Sequence, residues 1–223
     1  MAYPTVSAPY GLKPINLIGG QVFAGQTREL PIASNYGTVI NNGDIVRLSA
    51  GTIVKETGTT TVSATGVVGV FLGCTYTNPS TGQKLFANSY PGSIVASDIL
   101  AYVADDPDQL FKVAVTGGGT STTITPIGAG VLGNNLAISQ PASNTTISGN
   151  SNIGAYDSGG NTAFTLPLRV VGLVPETVDS SGNYSEVIVK WNMPYITLTE
   201  GAPNVVAYNG GHSYLNPSAP SNV

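Results

Sequence analysis

Few residues in this sequence are of types that do chemistry, and their positions narrow what that chemistry could be. His212 is the only histidine, Cys74 the only cysteine, and 9% of the residues are charged. A Ser/His/Asp arrangement has to draw on His212, because no other imidazole can serve as its base. That residue sits in Asn209-Gly210-Gly211-His212-Ser213 with no Gly-x-Ser-x-Gly turn to accompany it. Its expected role is that of a loop histidine. Asp105, Asp106 and Asp108 crowd around Pro107, and hard oxygen donors on one loop suit calcium. Their spacing is not that of an EF-hand, so an acidic turn is the simpler reading. Carboxylate pairs of the kind that cleave glycosidic bonds could be drawn from Glu29, Glu56, Glu176, Glu186 and Glu200. Of these, Glu186 alternates with apolar residues on a strand, which predicts a solvent-facing side chain. Gly117-Gly118-Gly119 lacks the lysine and the strand–loop–helix setting of a phosphate-binding loop. We expect no catalytic residue, no cofactor and no metal, and the chain is not expected to be an enzyme.

The elements that must carry these residues are short β-strands. Asp44-Ile45-Val46-Arg47-Leu48 and Thr52-Ile53-Val54-Lys55 flank Ser49-Ala50-Gly51, the pattern of a tight hairpin. Val68, Val70, Leu72, Cys74 and Tyr76 recur at every second position, which predicts a strand with one buried face. Cys74 then acts as a small buried hydrophobe. Residues 97–104 fit a short helix or a buried strand equally well. Phe111, Val113 and Val115 alternate again, as do Val187, Val189, Trp191 and Met193. Residues 164–174 form a further apolar run whose Pro167 suits an edge or a bulge. Polar, glycine-rich stretches at 117–123 and 139–162 read as loops. The fold class expected is all-β, a barrel or sandwich of short antiparallel strands. The division expected is an extended arm at 1–30, a barrel-like domain at 31–116, a second β lobe at 117–200 able to share the first sheet, and an irregular tail at 201–223.

The arm is punctuated by prolines at 4, 9 and 14 and glycines at 11, 19, 20 and 25, which favour extended backbone. It is too apolar for a free tail. Tyr3, Pro4, Tyr10, Leu12, Pro14, Ile15, Leu17, Ile18, Val22 and Phe23 are the candidate partner-binding residues. Packing on the arm's own barrel and embracing a neighbour remain equal alternatives at this point. Exposed tyrosines, of which the chain could offer several among its 11, often anchor protein or sugar contacts.

Composition excludes other partners. With eight lysines and arginines, spread singly, and a net charge of −4, successive phosphates cannot be neutralised. Neither nucleic acid nor an anionic membrane surface is an expected partner. The N-terminal residues lack a basic n-region and apolar core, and no stretch reaches the roughly 20 apolar residues that span a bilayer. A lone cysteine and the absence of a leader predict synthesis in a reducing host cytoplasm, while the Gly/Ser/Thr/Asn-rich texture suits an extracellular assembly. A virus particle reconciles the two.

Several segments resemble virion proteins of tailed bacteriophages, marine and cyanophage types especially, that decorate or cement the capsid. They are Ala8-Pro9-Tyr10-Gly11-Leu12-Lys13-Pro14, the stretch 25–33 from Gly25 to Ala33, Asn42-Gly43-Asp44-Ile45-Val46-Arg47-Leu48, and Gly69-Val70-Phe71-Leu72-Gly73-Cys74-Thr75-Tyr76. The stretches 106–113 and 187–192 complete the set. The hairpin around Gly51 also resembles small β-barrel decoration modules. The resemblance implies a barrel or sandwich that oligomerises, commonly as a homotrimer, on the outside of an icosahedral shell, with the major capsid protein and its own copies as partners. The sequence offers no long spine helix of the kind a major capsid protein needs. The function expected is that of a structural virion protein clamping neighbouring capsid subunits. A phage tail or fibre protein, or a glycan-binding adhesion module, is the alternative.

Overall fold

The computed structural model of the chain describes residues 6–62, 66–141, 148–159, 163, 165–192, 195–198, 206–209 and 212–215. The strands among them are β1 (Lys13–Leu17), β2 (Arg28–Pro31), β3 (Ile45–Ser49), β4 (Thr52–Lys55), β5 (Gly69–Thr77) and β6 (Lys84–Ala87). There follow β7 (Leu100–Ala104), β8 (Gln109–Ala114), β9 (Ile127–Gly128), β10 (Asn135–Ser139) and β11 (Gly154–Tyr156). The series ends with β12 (Leu168–Leu173), β13 (Asn183–Tyr184), β14 (Glu186–Trp191), β15 (Tyr195–Leu198) and β16 (Val206–Asn209). The fold is all-β. The only helical elements described are three single 3₁₀ turns, and residues 97–104, ambiguous in sequence, end in strand β7.

Two six-stranded antiparallel sheets dominate. One runs β1-β8-β14-β12-β10-β11, the other β2-β7-β5-β3-β4 with β6 added beside β5. Strand β8, which precedes the compositional break at 117–126, thus pairs with β14 from the end of the chain, and β1 joins through β8. The first sheet curls until Val115 meets Ala155, but through one parallel bridge instead of a ladder. The architecture is therefore sandwich-like, and the barrel alternative is not realised as a closed cylinder.

Each sheet wraps its own apolar core, and β3 and β5 form the wall between them. Ile45 pairs with Val70, and both side chains enter the first core with Leu12, Phe111, Leu136, Val189 and Trp191. Their chain neighbours Val46 and Phe71 point the other way, into the second core with Ile53, Cys74, Tyr90 and Val103. Period-2 alternation makes this possible, because successive side chains leave a strand on opposite faces. The alternation expected for Val68 to Tyr76 is broken in one place. A bulge between Phe71 and Gly73 inserts Leu72, so Phe71, Cys74 and Tyr76 share one core while Val70 faces the other. An inserted residue reverses the parity of every side chain beyond it.

Local sequence explains the turns. Ser49 pairs with Thr52, leaving Ala50 and Gly51 as a two-residue loop with φ of 47° and 76°. Both values are positive, the geometry whose twist matches antiparallel strands. Pro167 lies just before β12 and so withholds no hydrogen bond from the ladder. The polar stretch 139–162 is not wholly loop, since it supplies β11, whose partner is β10. Nor is the tail after 200 wholly irregular. Strand β16 pairs with β15, and His212 bridges to Val67.

Candidate functional site

The most developed concavity is a groove of about 240 Å³ built mainly from the N-terminal segment. Its first wall is a hairpin. After β1 the chain turns at Ile18-Gly19-Gly20, and Gln21 and Ile15 carbonyls accept the Leu17 and Phe23 amides at 2.9 and 3.3 Å. The second wall is the turn after β7, where Asp108 O accepts the Ile18 amide at 3.0 Å. Tyr214 forms the third. Leu17, Val22, Phe23 and Pro107 supply apolar lining, and Gln21, Gln26, Arg28, Asp105 and Asp106 the polar rim.

Arg28, Asp105 and Tyr214 lock these walls together. Arg28 Nε lies 2.7 Å from Asp105 Oδ2, Tyr214 Oη donates to the same oxygen at 2.7 Å, and the guanidinium lies 5.3 Å from the centre of the Tyr214 ring. Desolvation first, and then the Asp105 hydrogen bond and charge, push the Tyr214 phenol up to about 12. The sequence contained no signal for this trio, because its members lie on β2, on a turn and in the tail. Only folding joins them.

The expected partner-binding residues divide sharply. Tyr3 and Pro4 lie outside the described residues. Leu12 is fully buried in the first core, and Pro14 takes a place in edge strand β1 opposite Phe111. Ile15 is half-buried on the same strand. Tyr10 donates its hydroxyl to Glu186. These residues pack against their own chain. Ile18 and Val22, by contrast, are 50% and 77% exposed at the hairpin tip, and Leu17 and Phe23 line the groove beside them.

Glu186 is not on a solvent face as expected. It is buried, with Lys112 Nζ 3.4 Å from its carboxylate and Tyr10 bonded to it. Lys112 also lies 5.8 Å from the centre of the Tyr10 ring. Alternation failed here because β14 is flanked by β8 and β12, and the N-terminal segment covers the outward face near its start. Burial, followed by the Glu186 hydrogen bond and charge, raises the Tyr10 phenol.

The remaining chemistry-bearing residues are occupied structurally. Glu56 is buried and accepts the Thr57 and Gly58 amides at 2.8 and 2.7 Å, with Arg47 3.5 Å away. Glu29 and Glu176 are exposed, and Glu200 is outside the described residues. Asp106 Oδ1 caps its own turn by accepting the Asp108 amide at 2.8 Å, and Asp108 lies 3.7 Å from Lys190. Among the described residues no cluster of three or more His, Cys, Asp or Glu side chains is placed to hold a metal ion. Cys74 is buried, and desolvation pushes its thiol up to about 12. His212 is fully buried, edge-on to Tyr214 at 5.0 Å, with Nδ1 accepting the Tyr214 amide at 3.3 Å. Burial lowers its pKa against the raising effects of the Val68 backbone and the Asp105 and Asp106 charges. No helix described is long and apolar enough to cross a membrane.

The groove is smaller than the roughly 300–1,000 Å³ of small-molecule sites, and its chemistry is that of a contact surface: apolar floor, polar rim, one exposed aromatic edge. Comparison with protein-family models, curated proteins and solved structures gives no match to this chain.

Proposed function

We propose that this protein is a structural virion component that decorates the outer surface of a tailed-phage head and stabilises it by clamping neighbouring capsid subunits, working as a homo-oligomer. The observation that carries this reading is the hairpin tip. The N-terminal segment is anchored by Leu12 and β1, yet Ile18 and Val22 project apolar side chains into water from that rigid base. An apolar tip held in place loses little entropy when a partner covers it, which is how a contact surface gains affinity. The segments that resemble capsid-decorating proteins support the same reading. Cementing a shell requires only burial across interfaces, at about 25 cal/mol per Å² of apolar area before association costs. The major capsid protein and further copies of this chain are the partners, and the location is the capsid exterior after synthesis in the host cytoplasm.

Quantitative mass spectrometry of virions encoded by the same genome, before and after tails are sheared from heads, tests this. The expected result is retention with the heads in proportion to the major capsid protein. Recovery with the tails alone would instead favour a tail or fibre protein, and absence from the particle would overturn the reading altogether.

A further inference from the structure

We infer that the groove between the N-terminal hairpin and the turn after β7 receives Phe86 from a second copy of this chain, in a head-to-tail contact. The inference names the partner of the hairpin surface and so rests on reading that surface as a contact site. Phe86 is 77% exposed, an uncommon position for an aromatic ring on a paired strand. Its neighbour Leu85 packs inward on the second core, so strand alternation forces Phe86 outward, on the same face as Lys84. The groove, at about 240 Å³, is below the small-ligand range but large enough for one aromatic side chain. Its lining of Leu17, Val22, Phe23 and Pro107 is apolar, and exposed Asp106 stands on the rim. Lys84, half exposed, would bring a positive charge to that acidic rim, so the two surfaces complement each other in shape and in sign.

The two surfaces cannot meet within one molecule. The groove lies at the end of the β5–β7 pair where Val70 faces Ala104. Phe86 faces Thr75 at the other end, five residues along the strand and so roughly 17 Å away at about 3.4 Å per residue. A knob and a socket at opposite ends of one sheet give a heterologous contact, which closes into a ring or runs on as a filament. An isologous dimer cannot be built from it.

Sedimentation velocity and light scattering on the purified full-length protein, free of any capsid, provide the test. The wild type should sediment as a ring or longer oligomer. Phe86→Ser removes the knob and Val22→Asp spoils the socket, so each variant alone should be monomeric with unchanged circular dichroism and thermal midpoint. Both positions are exposed, and loss of fold is not expected. Mixing the two variants is decisive: Val22→Asp keeps its knob and Phe86→Ser keeps its socket, so the mixture should form a one-to-one dimer and nothing larger. A monomeric wild type, variants that remain oligomeric, or a mixture that stays monomeric would each overturn the contact. Retention on heads with any of these results would remove this contact while leaving the capsid reading intact.

Discussion

Tyr214 donates its hydroxyl to Asp105 at 2.7 Å across a sequence separation of 109 residues. Arg28 closes on the same carboxylate, so the tail, the turn after β7 and strand β2 meet at one oxygen. Tyr214→Phe removes a charge-assisted donor at a half-exposed site, and solvent screening keeps the expected loss near 1 kcal/mol. Asp105→Ala should also bring the Tyr214 phenol down from about 12 toward its ordinary value, since it removes a hydrogen bond and a charge. Absorbance titration near 295 nm, with Tyr214→Phe as the blank, reads that change. An unaltered titration in Asp105→Ala would show that burial alone sets it.

The buried Glu186 should be more costly to disturb. Its carboxylate relies on Tyr10 and Lys112, and breaking a buried ion pair from one side costs about 3–5 kcal/mol when fully enclosed. Lys112 is partly exposed, so Lys112→Met should lie at or below the lower end of that range. Tyr10→Phe should cost about 1–2 kcal/mol. Urea unfolding midpoints check both, and an effect of Lys112→Met smaller than that of Tyr10→Phe would contradict the assignment.

Two backbone positions predict effects of opposite sign. Ala50 holds φ of 47° in the β3–β4 turn, a conformation that costs an L-residue about 1–2 kcal/mol and that asparagine tolerates better. Ala50→Asn should raise stability by about 0.5–1 kcal/mol. Gly11, at φ of 82°, faces Gly43, and a Cβ there would stand 2.7 Å from Gly43 O and 2.6 Å from Ser151 Cβ. Gly11→Ala should therefore destabilise by more than about 2 kcal/mol. Thermal denaturation of the pair against wild type reads both signs.

His212 gives the fold a pH dependence. Its folded-state pKa is lowered, chiefly by burial, so the folded protein binds fewer protons there than the unfolded chain. The contribution of this residue is intact above the unfolded value of about 6.5 and is lost as pH falls below it toward the folded value. Unfolding free energy should drop between about pH 7 and pH 5, and His212→Gln should flatten that slope. An unchanged slope in the variant would assign it to other groups.

Period-2 patterning made the all-β class legible, along with the β3–β4 hairpin, the core faces of β8 and β14 and the burial of Cys74, because backbone alternation and turn chemistry act over a few residues. The same local logic also revealed that the N-terminal segment is too apolar to be free. It could not say which of its residues turn inward. Leu12 entered the core and Val22 stayed in water only because β1 paired with β8, a long-range choice made by whole-sheet packing. Tertiary structure alone buried Glu186, since a face that is polar by sequence can be covered by a distant strand. It likewise assembled the groove from residues at 17–28, 104–109 and 214. Contacts between segments a hundred residues apart depend on the sum of burial over both cores, and no short window of sequence contains that sum.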